Sequence, residues 1–385
     1  MKILILGGTG AMGKHLVKIL SYNKNNKLYI TSRSHHISGD NLQYYLGDAH
    51  NMNFIQSIVD KVDYDAIIDF MYYSTQEFTQ HAQLLMQHTQ QYFLLSSARV
   101  YADSITPITE NSPRLLETSK DKEYIQGDEY SIEKCHQEDI IRSIGNNWTI
   151  IRPYITYSES RLQLGIYEIK DWLYRALKGR TIQLYKGIAQ ATTTLTYGYD
   201  VAYAISILIG KKEAIGQIYH ITQTETIKWS DVLNIYINEI EKIKGIRPKI
   251  LITNKDAYSN FGYKNVQILY DRVYNRIFDN SKIGKFVDVK EFKRADETLR
   301  NCLHDFLQDP YFPNIDWHRQ ALMDRLTGEV ANPDEFSNKD DYKYYLYMRY
   351  TYNHQWVSFK QKIKKVIKYV LHNHANQQLK TSSDS

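Results

Sequence analysis

Tyr130 and Lys134 stand four residues apart in a helical stretch, a spacing that puts both side chains on one helix face. A phenol is a poor base at its free pKa of about 10, and a neighbouring ammonium can lower that value. Such a pair could move a proton on or off a hydroxyl or carbonyl oxygen. With 33 tyrosines in the chain, the spacing also arises easily by chance, so flanking residues must decide. A second set of residues supplies them. Met1 to Gly13, MKILILGGTGAMG, runs an apolar segment into a glycine turn, Gly7-Gly8-Thr9-Gly10-Ala11-Met12-Gly13. The glycines fit Gly-x-Gly-x-x-Gly from Gly8 and Gly-x-x-Gly-x-x-Gly from Gly7. At that place they permit a tight turn, let backbone approach a pyrophosphate, and aim a helix N-terminus at its charge. Dinucleotide binding together with a tyrosine–lysine pair is the equipment for hydride transfer at a carbinol carbon.

The elements that must position these residues follow from the apolar pattern. Lys2–Leu6, Lys27–Thr31, Gln43–Leu46, Ala66–Phe70, Tyr92–Ser96 and Trp148–Arg152 read as strands. Ala11–Ser21, Asn53–Val59, Glu77–Thr89 and Asp128–Ser143 read as helices between or after them. That alternation predicts an α/β fold, a doubly wound parallel sheet whose ligands bind at the carboxyl ends of its strands. Further along, Leu162–Leu177 is expected as a helix, Thr192–Tyr197 as a strand, and a helix is expected from Asp200. Gln217–Thr222 is expected as a late strand, with a helix from Ser230.

Taken together, Gly7/Gly10/Gly13, Gly47-Asp48, Ser96-Ser97-x-x-Val100-Tyr101, Tyr130-x-x-x-Lys134 and Ile151-Arg152-Pro153 resemble the extended short-chain dehydrogenase/reductase family over about the first 220 residues. That family holds nucleotide-sugar epimerases, dehydratases and 4-keto reductases. The resemblance implies a Rossmann domain over residues 1–155, completed by about 195–222. It implies a smaller substrate domain from 156–194 and 223–330, with 331–385 as a helical C-terminal extension. It makes Ser97, Tyr130 and Lys134 the catalytic residues, Ser97 holding the substrate oxygen and Lys134 also bonding the nicotinamide ribose. Cofactor contacts are implied at Gly7, Gly10, Ala11, Met12, Gly13, Ser32, Arg33, Asp48, Phe70, Met71, Tyr130, Lys134 and Tyr154, Asp48 facing the adenine. Tyr72 stands where the family more often has a small residue. Asp279–Ile283 resembles a family segment near the substrate. Dehydratases of the family place Asp-Glu after the catalytic hydroxyl, and this chain has Ala98-Arg99, which cannot act as an acid–base pair.

Reduction of a keto sugar therefore remains, with epimerisation through a transient keto sugar as the alternative and a catalytically silent dinucleotide-binding regulator as another. Such sugars belong to polysaccharide biosynthesis. The end of the second strand reads Thr31-Ser32-Arg33-Ser34, with no carboxylate for a ribose 2′-hydroxyl. Arg33 could pair with a 2′-phosphate, which favours NADP over NAD. A nucleotide sugar is the expected partner, with a homodimer among the assemblies the family allows.

Composition narrows the remaining classes. Hydrophobic content of 43% and charge of 24% are those of a soluble globular protein, and +5 is too little charge to argue for nucleic acid. No stretch is long and apolar enough to span a bilayer, and Ile3–Leu6 reads as a strand and not as part of a leader, so a cytoplasmic location is expected. Cys135 and Cys302 make no disulfide framework, and His35-His36 and His372/His374 lack the company of a zinc site. Phe359, Ile363, Val366, Ile367, Val370 and Leu371 form an apolar stripe ringed by lysines, expected as a helix packed on the domain.

Overall fold

The structure, a computed structural model, describes residues 1–256, 259 and 264–351. The stripe at 359–371 lies outside the described residues.

The chain begins with β1 (Lys2–Leu6), whose last four residues are all buried. Ile3 and Ile5 point to one core and Leu4 and Leu6 to another, as a strand covered on both faces requires. After the glycine turn α1 (Gly13–Ser21) lays Leu16, Val17 and Leu20 onto the Ile3/Ile5 side. β2 (Lys27–Ser32) and β3 (Leu42–Leu46) follow, then α2 (Met52–Val59), β4 (Ala66–Asp69), α3 (Thr75–Gln87) and β5 (Tyr92–Leu95). Asn51 and Ser74 cap α2 and α3 by accepting from backbone N–H groups, which sets those helices one and two residues earlier than periodicity alone places them. A helix at Tyr130–Ile144 leads into β6 (Trp148–Pro153), and the strand Gln217–Ile221 completes a seven-stranded sheet. All its pairs are parallel, in the order Gln217–Ile221, β6, β5, β4, β1, β2, β3. The chain reverses its winding direction between β1 and β4, so a crevice opens beyond their carboxyl ends.

Two expectations are corrected. The helix expected from Leu162 begins only at Ile169. Gly165 takes φ +61°, and Leu164 and Tyr167 exchange backbone hydrogen bonds of 2.8 and 3.0 Å, so the chain turns there before the helix starts. The strand expected over Thr192–Tyr197 is two short pieces drawn to different partners. Thr192–Thr193 pairs with Ile227–Lys228 and Thr196–Tyr197 with Thr156–Tyr157. The helix expected at Asp200 runs Gly198–Leu208, and that expected at Ser230 runs Trp229–Lys244.

The chain divides into two compact units. One comprises residues 1–169, 187–247 and 266–311; the other comprises 170–186, 248–265 and 312–385. The second unit pairs the parallel strands Ile182–Tyr185 and Ile250–Thr253. Its helices Trp317–Thr327 and Lys339–Tyr350 enclose Ala321, Leu322, Tyr345 and Met348. Asp324 is fully buried there and accepts from Arg175 at 2.9 Å, Arg180 at 2.7 Å and the Tyr345 hydroxyl at 2.7 Å.

Candidate active site

Beyond the carboxyl ends of β1, β4, β5 and β6 lies a cavity of about 500 Å³. Its floor is the glycine turn: Gly7, Gly10, Ala11, Met12 and Gly13 all line it, with Phe70 beside them. Gly7 sits at φ +69°, and the Gly10 N–H donates to its carbonyl at 3.1 Å, so the turn is tight. A Cβ on Gly13 would lie 2.7 Å from the Gly7 carbonyl oxygen, so only glycine lets α1 come this close to β1. Met12 stands at the start of α1 with no side-chain cap, and the first turn carries no acidic residue. In that first turn the Lys14 N–H donates to the Gly10 carbonyl at 3.0 Å, and the glycine turn leading into the helix N-terminus has the form that suits a dinucleotide pyrophosphate.

The opposite wall comes from the end of β5 and the helix at Tyr130. Ser96 and Ser97 both border the cavity, but the Ser96 hydroxyl is spent on Glu138 at 2.6 Å. Glu138 is itself buried and gripped by Arg152 at 2.5 Å, and that cation, despite the burial, holds its carboxyl below the usual range. The Ser97 Oγ accepts from the Arg99 N–H at 3.2 Å and borders the cavity beside Tyr130, so of the two serines it is the one whose hydroxyl is not taken by a carboxylate. Tyr130 opens its helix, which Glu129 caps by accepting from the Ser131 N–H at 2.7 Å. The same Glu129 accepts from Arg99 Nη2 at 2.6 Å, and the Arg99 guanidinium lies 5.3 Å from the centre of the Tyr130 ring. Burial pushes the Tyr130 phenol up; the Arg99 charge and then the Ser97 hydroxyl oppose the rise.

Lys134 is placed differently from what spacing alone suggests. Its ammonium is buried, donates to Gln137 at 2.9 Å, and lies 5.9 Å from the ring centres of both Tyr72 and Tyr130. It is not among the residues lining the cavity. Burial lowers its pKa to about 8, against the opposing pull of Asp69, Glu138 and Glu133. Tyr72, half exposed, stacks on Tyr130 at 5.6 Å and donates its hydroxyl to Glu133. The cation set most strongly against the phenol is therefore Arg99.

The other expected contacts scatter. Met71 touches the turn at Gly7, whose added Cβ would lie 3.3 Å from its sulfur. Ser32 is buried and accepts from the Ser34 N–H at 3.1 Å, while Arg33 is exposed on the loop after β2. Asp48 is exposed and accepts from the His50 N–H at 3.1 Å. Tyr154 is buried against Phe278, whose ring centre is 5.3 Å from its own, and none of these five residues lines the cavity. Asn280, from the segment Asp279–Ile283, accepts from Thr222 at 3.0 Å at the end of the last strand. Sequence reasoning missed Arg161, Gln163, Glu168, Gln267 and Arg272, which all line the cavity. They come from stretches without readable motif.

Comparison with known proteins follows the same outline. Residues 3–222 match the model of the "NAD dependent epimerase/dehydratase family". The chain is 26% identical over 237 residues to the chloroplast stem-loop binding protein of 41 kDa b from Arabidopsis thaliana, covering 57% of this chain. It spans 58% of the length of that relative. Among solved structures it is similar to UDP-glucuronic acid 4-epimerase from Bacillus cereus in complex with UDP-glucuronic acid and NAD, at 17% identity and TM-score 0.60. That likeness covers 81% of this chain and 100% of the other. It is similar also to dTDP-glucose 4,6-dehydratase from Bacillus anthracis in complex with NAD, at 16% identity and TM-score 0.58, covering 80% and 97%. These structural likenesses establish the fold. With a seven-stranded parallel sheet, a glycine turn at its switch point and a family match over more than half its length, the chain belongs to the NAD dependent epimerase/dehydratase family.

Proposed function

We propose that the chain is an NAD(P)-dependent enzyme that reduces a keto group of a nucleotide-linked sugar, with Tyr130 as proton donor. The observation that carries the reading is that Ser97, Tyr130 and the glycine turn border one cavity. A bound nicotinamide supplies the hydride. Ser97 orients the substrate oxygen, and Tyr130 gives it a proton as the carbonyl carbon is reduced. A phenol raised by burial is proton-bearing near neutrality, which suits donation. Arg161 and Arg272 on the same wall are suited to the nucleotide phosphates. The Ser32-Arg33 pair at the end of β2, with no carboxylate and an exposed guanidinium suited to a 2′-phosphate, supports NADP as the cofactor. NAD is the alternative, and similar enzymes of known structure hold it. Segments 156–194 and 223–330 are assigned to the sugar nucleotide. No described helix is long and apolar enough to cross a membrane.

Single-turnover mixing of the NADPH-loaded protein with a nucleotide-linked 4-keto-6-deoxy sugar should consume NADPH in stoichiometric amount. Interconversion of unoxidised sugar epimers without net cofactor change would establish the epimerase instead. One observation favours the silent regulator as a second reading: Lys134 lies outside the cavity lining, beside the ring of Tyr72. Cofactor bound tightly yet never consumed by any keto or parent sugar would decide for it.

A further inference from the structure

Lys134 is buried with more donors than its surroundings use. Its ammonium carries three N–H groups, and among the described residues it makes one hydrogen bond, to Gln137 at 2.9 Å. A buried ammonium with donors left over is costly unless acceptors reach it. Two rings cover it instead, those of Tyr72 and Tyr130, each with its centre 5.9 Å from Nζ, near the outer limit of a cation–π contact. Tyr130 borders the cavity that contains the glycine turn, and Lys134 does not.

Tyr72 is the part of this cover that can move. It follows Phe70, which lines the cavity, and Met71, which touches the glycine turn, and its side chain is 49% exposed. Two contacts hold it: its ring stacks on that of Tyr130 at 5.6 Å and 27°, and its hydroxyl donates to the buried carboxylate of Glu133. Both would break on a change of side-chain rotamer, with no movement of the backbone. We propose that Tyr72 is a positioning residue for Lys134. With its ring on Tyr130 it closes the ammonium off from the crevice; turned aside, it lets the remaining N–H groups reach a bound ligand. A dinucleotide whose phosphates meet the glycine turn brings its ribose hydroxyls as acceptors for them. The inference rests on the dinucleotide reading above and adds how this chain admits the cofactor to its lysine. Apparent affinity is lowered to the extent that the closed arrangement is populated, so removing the ring tightens binding.

Fluorescence titration of the full chain with NADPH and with NADH tests it, on the wild type, on Tyr72→Ala and Tyr72→Phe, and on each of these combined with Lys134→Met. Tyr72→Ala should bind the cofactor about tenfold more tightly than the wild type, the scale of a stacked pair together with a hydrogen bond to a carboxylate. Tyr72→Phe, which keeps the ring and loses only the bond to Glu133, should show a smaller gain in the same direction. Combined with Lys134→Met the gain should vanish, because no ammonium is left to uncover. Unchanged or weaker binding by both Tyr72 variants overturns the inference and leaves the dinucleotide reading standing. A gain that survives in the Lys134→Met background overturns it too, since it then comes from added space alone. Absence of cofactor binding by the wild type and every variant overturns both.

Discussion

At the residue scale, the decisive fact is which atoms are free. Two adjacent serines end β5, yet the Ser96 hydroxyl is held by a carboxylate that Arg152 grips, and Ser97 faces the cavity. Tyr130→Phe should leave cofactor binding nearly intact and lower turnover by about two or more orders of magnitude, the scale of a lost acid–base group. Near-normal turnover in the purified variant would remove Tyr130 from the mechanism. Lys134 gives a pH signature. Its pKa of about 8 means that the cation is present below that pH and lost above it. If it holds the nicotinamide ribose, cofactor affinity should fall as pH rises through about 8, and Lys134→Met should weaken binding and flatten the profile. A profile of the same shape in the variant would assign the dependence elsewhere.

At the scale of elements, function depends on how closely α1 approaches β1. Gly13 has no room for a methyl group, because the atoms nearest an added Cβ are backbone of Gly7 and Gly8 and cannot swing aside. Gly13→Ala should cost about 1–3 kcal/mol, as other overpacked sites do, and weaken cofactor binding more than tenfold. Thermal unfolding and a fluorescence titration would read the two effects, and unchanged values in both would show that the turn can open. The helix at Tyr130 has a comparable dependence on Glu129, which caps its first turn and grips Arg99 with the same carboxylate. One carboxylate thus orients both the helix at Tyr130 and the cation beside it.

On the scale of the whole molecule, the two units are held by different kinds of interior. The first buries two apolar layers against a parallel sheet. The second unit places a charged cluster at its centre, where Arg175 and Arg180 meet Asp324 with all three side chains buried. Breaking such a network from one side strands its remaining charges. Asp324→Asn should therefore destabilise this unit by about 3–5 kcal/mol. Calorimetric unfolding would show a lowered transition, and an unshifted one would mean that water or a neighbour replaces the lost partner.

By itself the sequence determined the doubly wound parallel sheet and the glycine turn. Each of these is written in local pattern: short, predominantly apolar runs, glycines where no side chain fits, and helical periodicity between them. It also placed Ser97 and Tyr130 where the structure brings them together. Boundaries followed less well, since Asn51 and Ser74 caps and the Gly165 turn act through hydrogen bonds that periodicity does not register. Only the tertiary structure decided what surrounds the phenol. Spacing on a helix face put Lys134 beside Tyr130, but packing buries its ammonium near Tyr72 and Gln137. Arg99, set aside in the sequence as an unsuitable acid–base residue, becomes the nearest strong influence on the phenol. Arg161 and Arg272 join the same wall from chain positions 111 residues apart. Charge acts through space with distance and burial as its only terms, and neither can be read along a chain.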